Sequence, residues 1–236
     1  WEHAQEAFRL AEHIGYKEVA SVALGVQGDL FSLGDIDKAV DTYQRGMSAN
    51  IHPLVGSAYI PYRLAHATAR SGALSEGAAL IEKTLEYTTR YTFQLIHIPA
   101  EIAQADILRM RGQLEPAEQI LTRVVRDARE RGMLPCVLTG EKVLGEVYLA
   151  QGRWEAAAQC GQRVVESARA AAACYEEVQG LSLLARAQRA LGAKVDKAQR
   201  ERALALLAAR EAHARLPETA PHFRHCRDRI LAELIE

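Results

Sequence analysis

Apolar residues recur along the chain at helical spacing, and short polar turns divide them into a series of predicted helices. The predicted spans are 1–14, 16–33, 35–50, 53–71, 73–90, 92–111, 113–131, 134–151, 153–172, 174–191, 196–216 and 219–235. A glycine closes every second span, and these glycines are Gly34, Gly72, Gly112, Gly152 and Gly192. Their successive separations of 38, 40, 40 and 40 residues indicate a repeat protein.

Small residues stand at fixed distances from each of these turn glycines. Five residues after a turn glycine the chain has Ala39, Gly77, Ala117 and Ala157, and seven residues before it has Gln27, Ala65, Ala105, Gly145 and Ala185. A glycine in the left-handed conformation ends a helix with little strain, and small side chains let two helix axes approach closely. The repeating unit is therefore predicted to be a helical hairpin.

The two ends of the chain depart from the full repeat. Trp1-Glu2-His3-Ala4 aligns with Trp154-Glu155-Ala156-Ala157, which predicts that residues 1–14 are the second helix of a truncated repeat. Five hairpins then occupy 16–216, the last with about six extra residues after its turn glycine. Residues 219–235 are predicted to form a capping helix with one polar face, so that 1–236 is a single domain.

The turns Leu33-Gly34-Asp35 and Gly152-Arg153-Trp154 resemble those of the tetratricopeptide repeat (TPR) family. The resemblance covers nearly the whole chain and implies an all-α, right-handed superhelical solenoid of stacked antiparallel hairpins, with repeats of about 40 residues in place of the usual 34 or so. Helical repeats of the HEAT class have similar periods, so the period alone leaves both classes open. The turn motifs favour the TPR class.

Composition excludes several kinds of partner. Lys and Arg number 29 against 30 for Asp and Glu, so no net basic field attracts nucleic acid or acidic lipid. No apolar run reaches the roughly 20 residues that span a bilayer. The four cysteines form no close pairs, which indicates reduced thiols and a cytoplasmic location.

Motifs for catalysis are absent from the sequence. There is no phosphate-binding glycine loop, no nucleophile elbow and no paired Cys-x-x-Cys, so we expect no enzyme activity and no cofactor. His222, His225 and Cys226 share one face of the closing helix but lack a fourth metal ligand. We therefore predict no metal site.

The TPR resemblance implies that the first helix of each hairpin lines a concave groove. The candidate binding residues on these helices are Tyr62, Arg63, His66, Arg70, Asp106, Arg109, Lys142, Glu146, Arg186 and Arg189. Each could equally be an ordinary solvated side chain. Arginines beside a tyrosine and a histidine favour a protein or peptide partner, or a small anionic effector, held through bidentate hydrogen bonds.

The chain also resembles the C-terminal TPR region of bacterial multidomain signalling ATPases linked to nucleotide cyclase or LuxR-type regulator domains. The segments Pro116-Ala117-Glu118 and Ala128-Arg129-Glu130-Arg131-Gly132 carry this resemblance. It implies a module that senses an effector or binds a protein and relays this to attached domains, and the alternative is a stand-alone adaptor. An apolar surface left by the truncated first repeat is predicted to allow self-association.

Overall fold

A computed structural model describes residues 2–49, 59–91 and 94–213, together with Asp228 and Ala232. These residues form α-helices joined by short turns, and no strand occurs among them. The helices are α1 (Glu2–Ile14), α2 (Lys17–Phe31), α3 (Ile36–Ala49), α4 (Tyr59–Arg70), α5 (Leu74–Arg90), α6 (Gln94–Met110), α7 (Leu114–Glu130), α8 (Leu134–Ala150), α9 (Trp154–Ala170), α10 (Cys174–Ala190) and α11 (Lys197–His213). The predicted capping helix 219–235 lies outside the described residues except for Asp228 and Ala232.

The helices group into two compact units, α1–α6 and α7–α11. Within each unit every helix packs against the next one along the chain. Alternate helices also meet, since α4 contacts both α2 and α6 in the first unit and α10 contacts α8 in the second. This is the packing of stacked helical hairpins, and it confirms the prediction of an all-α repeat fold.

Three turns within hairpins share one hydrogen-bonding pattern. Gly72, Gly152 and Gly192 have φ angles of 104°, 73° and 74°. The following residue donates its N–H to a carbonyl five residues earlier, as from Arg153 to Tyr148 at 2.8 Å. This is a Schellman cap, in which a glycine can adopt the left-handed conformation because it has no Cβ.

The turn between α2 and α3 is different, and the predicted left-handed cap at Gly34 is wrong. Gly34 has no positive φ, and Asp35 donates its N–H to the Phe31 carbonyl four residues earlier at 2.7 Å. The hydrogen bond that closes this turn therefore spans one residue fewer than the corresponding bond of the Schellman turns. Because the turn closes without a left-handed residue, its backbone conformation does not require glycine at position 34.

The turns between hairpins correct the alignment of the first repeat. Tyr16, Met133 and Ala173 donate to carbonyls five residues earlier, at 2.7, 2.9 and 2.8 Å, so these three residues are equivalent. Counting forward from them places Gly28, and not the predicted Gln27, at the position of Gly145. A Cβ added to Gly28 would lie 2.5 Å from the Tyr43 ring, which shows that this position requires a small residue.

The small residues predicted five positions after and seven positions before a turn glycine lie where the two helices of a hairpin cross, and the others of this set are all buried. A Cβ on Gly77 of α5 would lie 2.7 Å from the Ala65 carbonyl oxygen of α4, so these two backbones are in direct contact. The buried small residues are Ala39, Ala65, Ala105, Ala117, Ala157 and Ala185. Larger apolar residues such as Tyr43, Ile81 and Leu121 fill the core beside them.

Candidate functional site

Each of the five first helices has one small residue at its crossing with the second helix, which we call the crossing residue, and the residue directly after it is polar. The crossing residues are Gly28, Ala65, Ala105, Gly145 and Ala185. The polar residues that follow them are Asp29, His66, Asp106, Glu146 and Arg186, on α2, α4, α6, α8 and α10. The small crossing residue is buried between helices, so the residue that follows it points toward the edge of the packed layer. In each unit these polar side chains make ion pairs with the neighbouring first helix.

Asp29 joins α2 to α3 and α4. Its carboxylate accepts hydrogen bonds from the hydroxyl of Tyr43, at 2.5 Å, and from the hydroxyl of Tyr59. The Nη1 atom of Arg63 lies 3.1 Å from the same carboxylate. One carboxylate therefore ties three helices together at this edge.

Arg63 is held on three sides. Its Nε atom donates to the hydroxyl of Tyr62 at 2.9 Å, and its guanidinium lies 4.9 Å from the centre of the Tyr59 ring. Burial works against the charged form, but Tyr62 and Asp29 outweigh burial and raise the pKa of Arg63. Burial, reinforced by Asp29, raises the pKa of Tyr43, so its hydroxyl stays protonated and donates.

Asp106 joins α6 to α4. Its Oδ2 atom lies 2.7 Å from His66 Nε2, and its Oδ1 atom accepts a hydrogen bond from Arg109 Nε at 2.7 Å. The side chains of His66 and Arg109 are 32% and 26% exposed, whereas that of Asp106 is 12% exposed. The carboxylate is thus largely covered by two cationic or hydrogen-bonding groups that remain open to solvent.

The second unit repeats this contact between α8 and α10. Arg186 Nη1 donates to Glu146 Oε1 at 2.6 Å, and both side chains are partly exposed. Lys142 and Arg189 lie on the same two helices and are half-buried. Lys142 has no ion pair with any residue in the described part of this unit.

The structure brings together five of the candidates predicted in the first unit and separates one. Tyr62, His66, Asp106 and Arg109 lie where α4 and α6 meet, and the Tyr62 ring is buried in the core between these helices. Arg63 is joined to them through the Tyr62 hydroxyl but faces Asp29 of α2. Arg70 is exposed on the last turn of α4. Asp29, which pairs with Arg63, was missed because the first repeat was aligned one residue out of register. Tyr59, whose ring lies against Arg63, was also not among the candidates.

Two buried carboxylates in the second unit were also missed. Glu141 pairs with Arg129 and Arg163, at 2.9 and 2.7 Å, and Glu177 pairs with Arg169 and Arg202, both at 3.0 Å. Hydrogen bonds from Arg202 and Arg169 lower the pKa of Glu177. Burial and the nearby Glu141 raise the pKa of Cys160 to about 12, so its thiol is unreactive at neutral pH.

Comparison with known proteins identifies the fold. No family model and no curated protein matches the chain. One solved structure is that of a kinesin light chain-like protein of Podosopora anserina with nearly identical TPR-like repeats. Its sequence is 17% identical to this chain, its TM-score is 0.52, and the match covers 88% of this chain and 94% of that one. The structure of a single-residue variant of that protein is 19% identical in sequence and has the same TM-score, and the match covers 81% of this chain and 93% of that one.

A third solved structure is BtubC (BKLC) from P. vanneervenii. It is 19% identical to this chain, with a TM-score of 0.61, over 91% of this chain and 90% of that one. The class that these likenesses define is a TPR-like helical repeat fold. No described helix is both long and apolar enough to cross a membrane.

Proposed function

We propose that this protein is a non-enzymatic interaction module that binds a peptide or protein through the polar edge of α2, α4 and α6. The site is the α2–α4–α6 cluster, defined here as Asp29, Arg63, His66, Asp106 and Arg109. The observation that supports it is the convergence of five charged or titratable side chains from three successive first helices, all at least partly accessible to solvent. Repeat proteins use such faces for binding because neighbouring repeats present equivalent positions side by side.

The internal pairing of the cluster indicates the kind of ligand. Arg63 is already bound to Asp29, and Arg109 to Asp106, so a simple anion would have to displace a carboxylate that is fixed in place. A peptide that carries both signs of charge can instead pair with the exposed atoms of His66, Arg109 and Asp29 together. Of the two kinds of partner expected from the sequence, the cluster therefore favours a protein or peptide over a small anionic effector.

A finer role follows from the resemblance to the TPR regions of bacterial signalling ATPases. In that role the module would sense its partner and relay the binding to an attached ATPase, cyclase or regulator domain. A change in ATPase or cyclase activity of the full-length protein when a peptide binds would support it. An unattached adaptor would bind the same peptide without any such change.

The binding site can be tested with peptides selected from a random library against the wild-type protein. The Asp106→Asn/Arg109→Gln variant should bind these peptides at least tenfold more weakly in calorimetry, because it removes both charges at nearly constant side-chain size. The matched control is Glu146→Gln/Arg186→Gln, which removes the ion pair between α8 and α10 in the second unit. Equal binding by the Asp106 variant, or loss of binding only in the control, would contradict the proposed site.

A further inference from the structure

Two arginines from α7 and α9 converge on one buried carboxylate of α8. Arg129 Nη2 and Arg163 Nε donate to the same Oε1 atom of Glu141, at 2.9 and 3.0 Å. The Glu141 side chain is 6% exposed, whereas those of Arg129 and Arg163 are 58% and 43% exposed. The carboxylate therefore holds two guanidinium groups side by side at the surface, and it neutralises only one of their two charges.

The next repeat has the same arrangement. Arg169 Nε of α9 and Arg202 Nε of α11 donate to the Oε1 atom of Glu177, at 3.1 and 3.0 Å. Glu177 is again buried, and both arginines are about half exposed. We give the name arginine belt to the four residues Arg129, Arg163, Arg169 and Arg202. The belt carries four positive charges over two buried negative charges.

The arginines of the belt have hydrogen-bond donors left over. Each contacts its glutamate through Nε or Nη2, and within the described helices none of the four donates a hydrogen bond from Nη1. Because the glutamates already fix the guanidinium groups, an incoming anion meets arginines that have little side-chain freedom left to lose. Such an anion can accept charge-assisted hydrogen bonds from both arginines of a pair.

We propose that the arginine belt is a binding site for an acidic peptide, with one Asp or Glu carboxylate of the peptide at each arginine pair. Each pair has one unmatched positive charge, and the planar guanidinium matches the geometry of a carboxylate. The exposed Glu166 stands between the two pairs, three residues from Arg163 and three from Arg169 on α9. It would repel a continuous phosphate backbone, so the site favours separate carboxylates over nucleic acid.

The parts of this sequence outside the described helices do not supply such a peptide. Residues 50–58 and 92–93 contain no Asp or Glu. In residues 214–236 the acidic side chains are matched by as many arginines, with Glu218, Asp228, Glu233 and Glu236 against Arg215, Arg224, Arg227 and Arg229. The acidic ligand therefore comes from outside these 236 residues.

This site shares no residue with the α2–α4–α6 cluster, so the two proposals can fail separately. The probe is a fluorescein-labelled peptide of alternating Glu and Ser, about 12 residues long, which extends over about 40 Å and so crosses three helices packed about 10 Å apart. The control peptide has Gln in place of every Glu. Fluorescence anisotropy with the intact protein measures the binding of both at low salt, since salt screens exposed charges.

We expect saturable binding of the Glu peptide and at least tenfold weaker binding of the Gln peptide. The protein variant Arg129→Gln/Arg169→Gln should bind the Glu peptide at least tenfold more weakly, because it removes one arginine from each pair. Each buried glutamate keeps the arginine that contacts both of its oxygen atoms, which is Arg163 in one pair and Arg202 in the other.

Two further variants make the test specific to the belt. Lys142→Gln/Arg189→Gln removes the same charge from the first helices α8 and α10 and should bind as the wild type does. Glu166→Gln leaves both arginine pairs intact and removes the exposed carboxylate between them. It should bind the Glu peptide about twofold more tightly.

The proposal is overturned if the Glu peptide does not bind, if the Gln peptide binds equally well, or if Arg129→Gln/Arg169→Gln binds as the wild type does. Equal loss of binding in the Lys142→Gln/Arg189→Gln control, or weaker binding by Glu166→Gln, would also contradict it. Tighter binding of a single-stranded DNA oligonucleotide of equal charge would assign the belt to nucleic acid instead.

Discussion

At the scale of single residues, the turn between α9 and α10 carries an alanine where the turns before α2 and α8 carry glycine. Ala172 has a φ of 53°, close to the values of 68° at Gly132 and 72° at Gly15. A Cβ in this left-handed region is strained by about 1 kcal/mol or more. Ala172→Gly should therefore raise the free energy of unfolding by about 0.5 to 1 kcal/mol, after allowing for the greater freedom of glycine in the unfolded chain.

Urea unfolding measures this change, and the reverse substitution serves as its control. Gly132→Ala should lower the free energy of unfolding by about 1 kcal/mol, since it adds the same strain at the equivalent turn. No space limits either substitution, because a Cβ at Gly132 would meet no atom within 4 Å. A loss of stability in Ala172→Gly would show that the left-handed conformation is not strained there.

At the scale of helices, close approach depends on glycine at one crossing between α4 and α5. A Cβ on Gly77 would lie 2.7 Å from the Ala65 carbonyl oxygen and 2.9 Å from the Ala69 nitrogen, both of which belong to the backbone. Gly77→Ala should lower the free energy of unfolding by about 1 to 3 kcal/mol, because the two helices must move apart. Thermal melting followed by circular dichroism gives the value.

The exposed Ala79 on the same helix gives the comparison for this prediction. Ala79→Ser adds an atom to α5 on its solvated side and should change the melting temperature little. If Gly77→Ala melts as the wild type does, α4 and α5 are not in backbone contact.

The sequence predicted the helices better than it predicted the contacts of their side chains. Within the described residues, helix ends were found to within about two residues, because most turns carry a left-handed glycine or an apolar-to-polar change that is visible in the sequence. The predicted ends at 53 and 216 and the helix 219–235 fall outside those residues. The exception was the first hairpin, where Gly34 is not left-handed and the alignment slipped from Gly28 to Gln27. Spacing also showed which charged residues share a helix face, but not that the Asp106 carboxylate would contact both His66 and Arg109. That choice depends on side-chain conformation across two helices.

At the scale of the whole molecule, buried carboxylates of the second unit each connect three successive helices. Glu177 of α10 is 2% exposed and binds Arg169 of α9 and Arg202 of α11. Its pKa is lowered from the ordinary value of 4.5, so the folded protein favours the carboxylate. The resulting stability is fully present above pH 4.5 and is lost as the pH falls through the lower pKa of the folded state.

Glu177→Gln tests this dependence on pH. The variant should be less stable than the wild type by about 1 to 2 kcal/mol at neutral pH, because two charge-assisted hydrogen bonds become weaker. The difference should shrink as the pH falls below about 4, where the wild-type carboxylate takes up a proton. Glu176→Gln, one position away and partly exposed, is the control and should follow the wild-type curve. A constant difference at all pH values would mean that Glu177 titrates normally.

The turn between α2 and α3 also limits how hairpins of this protein can be exchanged, because Gly28 and Ala39 are 11 residues apart where Gly145 and Ala157 are 12 apart. One residue corresponds to a rotation of about 100° around a helix axis. Residues 133–172 run from one left-handed turn to the next, so an extra copy of this segment would enter the chain in register. Suppose that another first helix, together with its own Schellman turn, is joined to α3. The graft adds one residue, which rotates the residue at the helix crossing away from the neighbouring helix. Protein engineers should therefore cut this chain at the turns between hairpins, and not within the first one.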